Sequence, residues 1–238
     1  MNTAAPSHRV VALTRVRVRG YTRSRRALAP LIATLGLLAV VHAGGAAPIV
    51  EAYGISALVL LPVLAWQAKL ALDLEPDAQR LLAATAVGGA GREVVAGLVA
   101  AAVPATVTVL VALAVPWVFG AIAPPESGGA LVAGLAFGLW VHLLAVATGL
   151  AIGAWASRAV GPDLGRATLT LVGGVVLVLA LGSGAADPLG WLVPRLTATV
   201  RAASAARSAD IVLLSVHTVL WAAVVLAAYA RTRLTRRP

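Results

Sequence analysis

The chain has 238 residues, 60% of them apolar and 12% charged, where a soluble domain averages about 25% charged, and its mean hydropathy is +0.93. A water-soluble fold of this size cannot hide that much apolar surface, so lipid is the expected solvent for most of the chain. The formal charge is +10 and cysteine is absent, which excludes disulfide frameworks, thiolate metal sites and cysteine nucleophiles.

Residues 1–26 predict a basic cytoplasmic juxtamembrane helix. Arg15, Arg19, Arg23 and Arg26 share one helical face suited to anionic lipid, while Arg17 and Arg25 fall elsewhere. Six runs then approach the roughly 20 apolar residues a bilayer-spanning helix needs: Ala27–Ala43, Gly54–Leu72, Val94–Ile122, Ala130–Ala156, Ala167–Leu181 and Ile211–Ala230, within a transmembrane domain over 27–230, with a basic tail over 231–238. Ser24-Arg25-Arg26 ahead of the first run, with Val41-His42-Ala43 at its end, also fits a twin-arginine leader cleaved near Gly44. The length of the basic tail favours a retained span.

Between the second and third runs, residues 73–93 carry Asp73, Glu75 and Asp77 ahead of a helix-prone Ala78–Ala86. Pro76 sits near its first turn and Asp77 favours its N-terminal dipole. The third run is long, and Pro104 and Pro116 should kink or break it, since each lacks a backbone donor. In the fourth run Gly134, Gly138, Gly149 and Gly153 fall, with Ala145 and His142, inside a face about 100° wide, the pattern of a close helix–helix contact. His142, like His217 in the sixth run, is either bonded to a neighbouring helix or set on a substrate or proton pathway. Between runs five and six, Gly182–Asp210 is too polar to span and, in Pro188–Leu196, too apolar for an ordinary loop. It reads as outer interfacial or re-entrant helices, with Trp191 at the interface.

Arginines fix the orientation. The N-terminal tail, the loops holding Arg80 and Arg92 and then Arg158 and Arg166, and the tail holding Arg231, Arg233, Arg236 and Arg237 all fall on one side of six alternating spans. Both ends are therefore expected in the cytoplasm. Arg195, Arg201 and Arg207, all in the outer segment, break this rule. Eighteen arginines against the single Lys69 point to a GC-rich bacterial genome and hence a bacterial cytoplasmic membrane.

No glycine-rich phosphate loop ends in Gly-Lys-Ser or Gly-Lys-Thr, so any nucleotide hydrolysis must belong to another chain. Gly182-Ser183-Gly184 has the wrong spacing for a serine-hydrolase motif and reads as a loop exit. His42, His142 and His217 lie on three different runs with no His-x-x-x-His pair, against a metal site. The basic residues edge apolar runs, which points to a membrane and not to nucleic acid.

The layout resembles the permease subunits of ABC-2 type ABC exporters, especially short actinobacterial ones. The likeness rests on the basic N-terminal helix, six spans with both ends inside, the loop Leu74-Glu75-Pro76-Asp77-Ala78-Gln79-Arg80 running to Arg92, and Asp187-Pro188-Leu189-Gly190-Trp191-Leu192-Val193-Pro194. It implies an all-α integral membrane fold with outer re-entrant helices. It also implies a coupling helix near Asp77–Ala86, with Glu75, Asp77, Arg80, Leu81 and Leu82 at the contact with a separate ATP-binding subunit, and a second permease completing the pathway. ATP and magnesium would sit on the partner, with no cofactor or catalytic residue in this chain. The competing readings are an intramembrane enzyme acting on lipid or peptide through His142 or His217, and a noncatalytic scaffold or sensor.

Overall fold

The structure, a computed structural model, describes residues 6–183 and 188–235. Gly184, Asp187, Arg236 and Arg237 lie outside the described residues. Among the described residues nine α-helices follow in order: α1 (Pro6–Arg23), α2 (Leu28–His42), α3 (Ile49–Leu72), α4 (Asp77–Val87), α5 (Ala90–Val118), α6 (Gly128–Trp155), α7 (Leu164–Leu181), α8 (Leu196–Ser204) and α9 (Ser208–Thr235). Short 3-10 turns cover Arg25–Ala27 and Pro188–Leu192. Six helices of the described residues, α2 (with the turn before it), α3, α5, α6, α7 and α9, are long and apolar enough to cross a membrane. Among the described residues there is no strand, only a bridge in which Ala47 N–H donates to Ala121 O and Ala123 N–H to Ala47 O.

The helices run further than uncharged segments alone indicate. α3 starts at Ile49 and takes Glu51 into its first turn, where an acid complements the helix dipole. α5 starts at Ala90 and carries Glu93 in its first turn. It ends at Val118, short of Ile122, where Gly120 turns the chain at φ 63°. Pro104 and Pro116 do not break α5, and Pro62 sits within α3. A proline forfeits one ladder bond, which packing against neighbours offsets.

α3 is the central helix, packed against α2, α5, α6, α7 and α8. Its closest partner is α6. A methyl on Gly134 would strike Ile49, on Gly138 the Tyr53 ring, on Gly149 Leu64 and the Ala65 backbone, and on Gly153 Ala65 O. Absent side chains thus let the two backbones approach, the means by which helices associate where lipid supplies no hydrophobic drive. Leu38, Leu60, Leu61, Val141 and Leu144 fill the core around this seam.

Polar side chains tie helices at several levels. Thr108 Oγ1 donates to Gln67 Oε1 between α5 and α3, and Trp117 Nε1 donates to Tyr53 Oη, which in turn donates to Leu113 O. The bundle has two ends. The near end carries α1, α4, the α6–α7 connection and the C-terminus of α9; the far end carries the α2–α3 and α5–α6 connections and α8. There Leu196 and Val200 enter the core, with Val200 filling the space above Gly54.

Candidate functional site

The densest polar chemistry lies at the near end, where four of the chain's nine acidic residues gather: Asp73, Glu75, Asp77 and Glu93. α1 is not simply a surface helix. It packs along α5, and Arg17 turns inward, its Nε and Nη2 donating to Glu75 Oε2 at 3.0 and 2.5 Å and its Nη2 to Glu93 Oε1 at 2.6 Å. Nη1 completes the fork by donating to Glu93 O at 3.0 Å. Space for the guanidinium comes from Gly97, one turn beyond Glu93, where a methyl would meet Nη1. On the other side of Glu93, Arg233 Nη2 of α9 donates to Oε2 at 2.9 Å. One carboxylate therefore joins the first and last helices to α5. Burial opposes the charge on Arg17, yet the hydrogen bonds it donates to the two carboxylates, together with their charge, outweigh it and raise its pKa above the ordinary arginine value.

A second knot surrounds Asp73, the C-cap of α3. Its carboxylate accepts from Lys69 Nζ at 2.7 Å and from the Arg158 backbone N–H at 2.8 Å, while Arg158 Nη2 donates to Asp73 O. Arg80 of α4 donates to Leu72 O, lies 3.9 Å from Asp73 and pairs with Asp77 at 3.4 Å. Burial, and then the charge of Arg233, lower the Arg80 pKa. A cavity of about 20 Å³, lined by Arg17, Glu75, Arg80, Glu93 and Arg233, lies between the two knots; it has room for about one water.

α4 is thus pinned from beneath and open above. Asp77 opens its first turn after Pro76, and Gly88 closes it in the left-handed region at φ 83°, the C-cap geometry that glycine tolerates. Arg80 is only 6% exposed, whereas Leu81 and Leu82 are 50% and 70% exposed. The residues expected to act together at one contact therefore divide. Glu75 and Arg80 face inward as internal ties; Asp77, Leu81 and Leu82 face outward.

The histidines serve separate contacts. His142 Nδ1 donates to Gly138 O on its own helix at 2.6 Å, and its ring meets Tyr53 edge-on. His217 Nε2 lies 3.0 Å from Trp191 O, with the two rings edge-to-face. His42 Nε2 lies 2.9 Å from Ser56 Oγ, a pair that links α2 to α3. Since Ser56 Oγ already donates to Ala52 O, His42 is the donor here, the reverse of a general base drawing a proton from a nucleophile.

Sequence reasoning missed Arg17, Glu93 and Arg233. The available signal was that Glu75 and Glu93 flank a loop on a basic side without an assigned partner. Compared with protein-family models, curated proteins and solved structures, the chain matches none.

Proposed function

We propose that this chain is the membrane-spanning permease subunit of an ATP-driven exporter of the ABC-2 type, seated in a bacterial cytoplasmic membrane with both termini in the cytoplasm. It pairs with a second permease and is driven by separate ATP-binding subunits. The near end is the cytoplasmic end in this reading, in keeping with its arginines. The carrying observation is α4: a short helix that offers Leu81 and Leu82 to solvent while Arg80, buried on its inner side, donates to Leu72 O. A partner pressing on that leucine pair would pass its displacement through the Asp73 and Glu93 knots to α1, α3, α5 and α9 together. Binding energy can drive a conformational change only where the partner touches an element rigidly joined to the moving part.

Two further features support the reading. Leu38 lies in the core and His42 bonds Ser56, which favours retention of α2 over removal as a leader. The turn Pro188–Leu192 is held by His217 and by Trp221, whose Nε1 donates to Leu192 O. Those residues sit about nine and thirteen positions into α9, roughly 13 and 20 Å from its start at 1.5 Å per residue, a depth that fits segments re-entering from the outer face.

Purification from native membranes tests the proposal. The chain is expected to bring down an ATP-binding chain with ATP turnover in the assembly, and Leu81→Asp with Leu82→Asp should remove that chain without lowering the melting temperature. A wild-type protein that runs alone, or a double variant that keeps its ATPase, would sink the reading.

A further inference from the structure

We propose that the near-end cavity shared by Arg80 and Arg233 binds a single chloride-sized anion. These two arginines, on α4 and α9, line one space of about 20 Å³ together with Arg17, Glu75 and Glu93. A space of that volume takes about one water-sized guest, which admits a halide and excludes phosphate, sulfate or an organic acid.

Charge decides the guest. In the Glu93 knot two guanidinium groups, Arg17 and Arg233, meet two carboxylates, Glu75 and Glu93, so this side is balanced. In the Asp73 knot three cations, Lys69, Arg80 and Arg158, meet only Asp73 and Asp77. One positive charge is left over, and Arg80 is the group least compensated. Lys69 takes Asp73 at 2.7 Å, and the Arg158 side chain is 49% exposed, so water solvates it. Arg80, by contrast, is buried and stands 3.9 Å from Asp73. Its other carboxylate, Asp77, lies at 3.4 Å on a side chain that is 79% exposed. Its close hydrogen-bond partner is a neutral carbonyl, Leu72 O. A buried cation whose carboxylates are distant or screened by solvent keeps much of its desolvation cost.

Arg233 adds a second reason. Its Nη2 is committed to Glu93, yet its buried Nε has no hydrogen-bond partner among the described residues. Its charge also bears on Arg80, with which it shares the cavity, and after burial is the largest influence lowering the Arg80 pKa. An anion in the shared space relieves the repulsion between two guanidinium groups. A water there would satisfy a donor but carries no charge to offset them, and a cation would add to the excess. The space is open to filling from solvent, since Glu75 and Arg233 each keep 17% of the side chain exposed. The inference rests on the packing of the near end alone and is independent of any ATPase partner.

The whole chain, purified in detergent, is melted in sodium chloride and in sodium gluconate at equal ionic strength. The melting temperature should climb with chloride concentration, as binding to the folded state alone requires, while gluconate, too large for the cavity, leaves it unchanged. Arg80→Gln should raise the half-effective chloride concentration roughly tenfold or more, the scale of one lost charge-assisted hydrogen bond. Bromide should replace chloride, and crystals of the unaltered chain grown in bromide should show its anomalous signal beside Arg80 and Arg233, which keeps the test decisive if Arg80→Gln does not fold. Identical melting in chloride and gluconate, a folded Arg80→Gln with an undiminished chloride response, or bromide crystals with no anomalous peak in the cavity would overturn the proposal.

Discussion

Glu93 is the residue on which the near end turns. Its carboxylate oxygens are shared between Arg17 and Arg233, and its carbonyl is also taken by Arg17. Glu93→Gln leaves two guanidinium groups partly uncompensated in a buried setting, and breaking such a pair costs about 3–5 kcal/mol. A large drop in detergent melting temperature is expected, against a change within about 0.5 kcal/mol for the exposed Glu126→Gln. Arg17→Lys should fail to replace arginine, because an ammonium cannot span Glu75 and Glu93 with one rigid fork. Why this residue was hard to read is physical. On a helical wheel Arg17 spoils the basic stripe of α1, and the stripe was the visible signal; what it faces is fixed by tertiary packing with α5. The glycines of α6 were legible for the opposite reason. Their spacing alone puts them on one face, and Gly153→Ala should cost about 1–3 kcal/mol by overpacking against Ala65 O. Gly173→Ala, with open space around it, should be neutral in the same melting experiment.

At the scale of elements, apolar runs revealed the six helices of the described residues that are long and apolar enough to cross a membrane, because a bilayer demands them, yet they misjudged the ends. Charged residues were taken as boundaries, whereas Glu51 and Glu93 occupy first turns, where the helix dipole welcomes an acid and, for Glu93, arginines compensate it. α8 was the least legible. Its four buried residues, Leu196, Thr199, Val200 and Ala202, give it an amphipathic face, but nine residues are too few to announce a partner. The partner is Gly54 of α3, where an added methyl would come within 2.4 Å of Val200 Cγ1. Gly54→Ala should therefore destabilise by about 1–3 kcal/mol through overpacking, and Val200→Ala should destabilise by opening a cavity. Combined, the two should cost less than their sum, with a coupling of about 0.5–3 kcal/mol. Additive losses in a double-mutant cycle of unfolding would mean that α8 does not rest on α3.

For the whole molecule, the bundle joins two ends of different character. The near end is ionic and cross-braced, linking α1, α3, α4, α5 and α9 through Asp73 and Glu93; the far end is closed by hydrogen bonds from His217 and Trp221 to one turn, with three arginines about a pocket. Loop charge predicted which connections share an end, since that bias acts during insertion and leaves its record in composition. It gave no account of the far-end arginines, which only folding brings together. The same asymmetry makes orientation measurable, and the absence of native cysteine leaves a clean background. Single cysteines replacing the exposed Gln79 or Leu164 report the near end, and those replacing Glu126 or Ser208 report the far end. A membrane-impermeant maleimide applied to intact cells should label the second pair and reach the first only after lysis. Labelling of Gln79→Cys in intact cells would invert the bundle, put α4 out of reach of any cytoplasmic ATPase and remove the ground for the permease reading. It would leave the six-helix packing untouched.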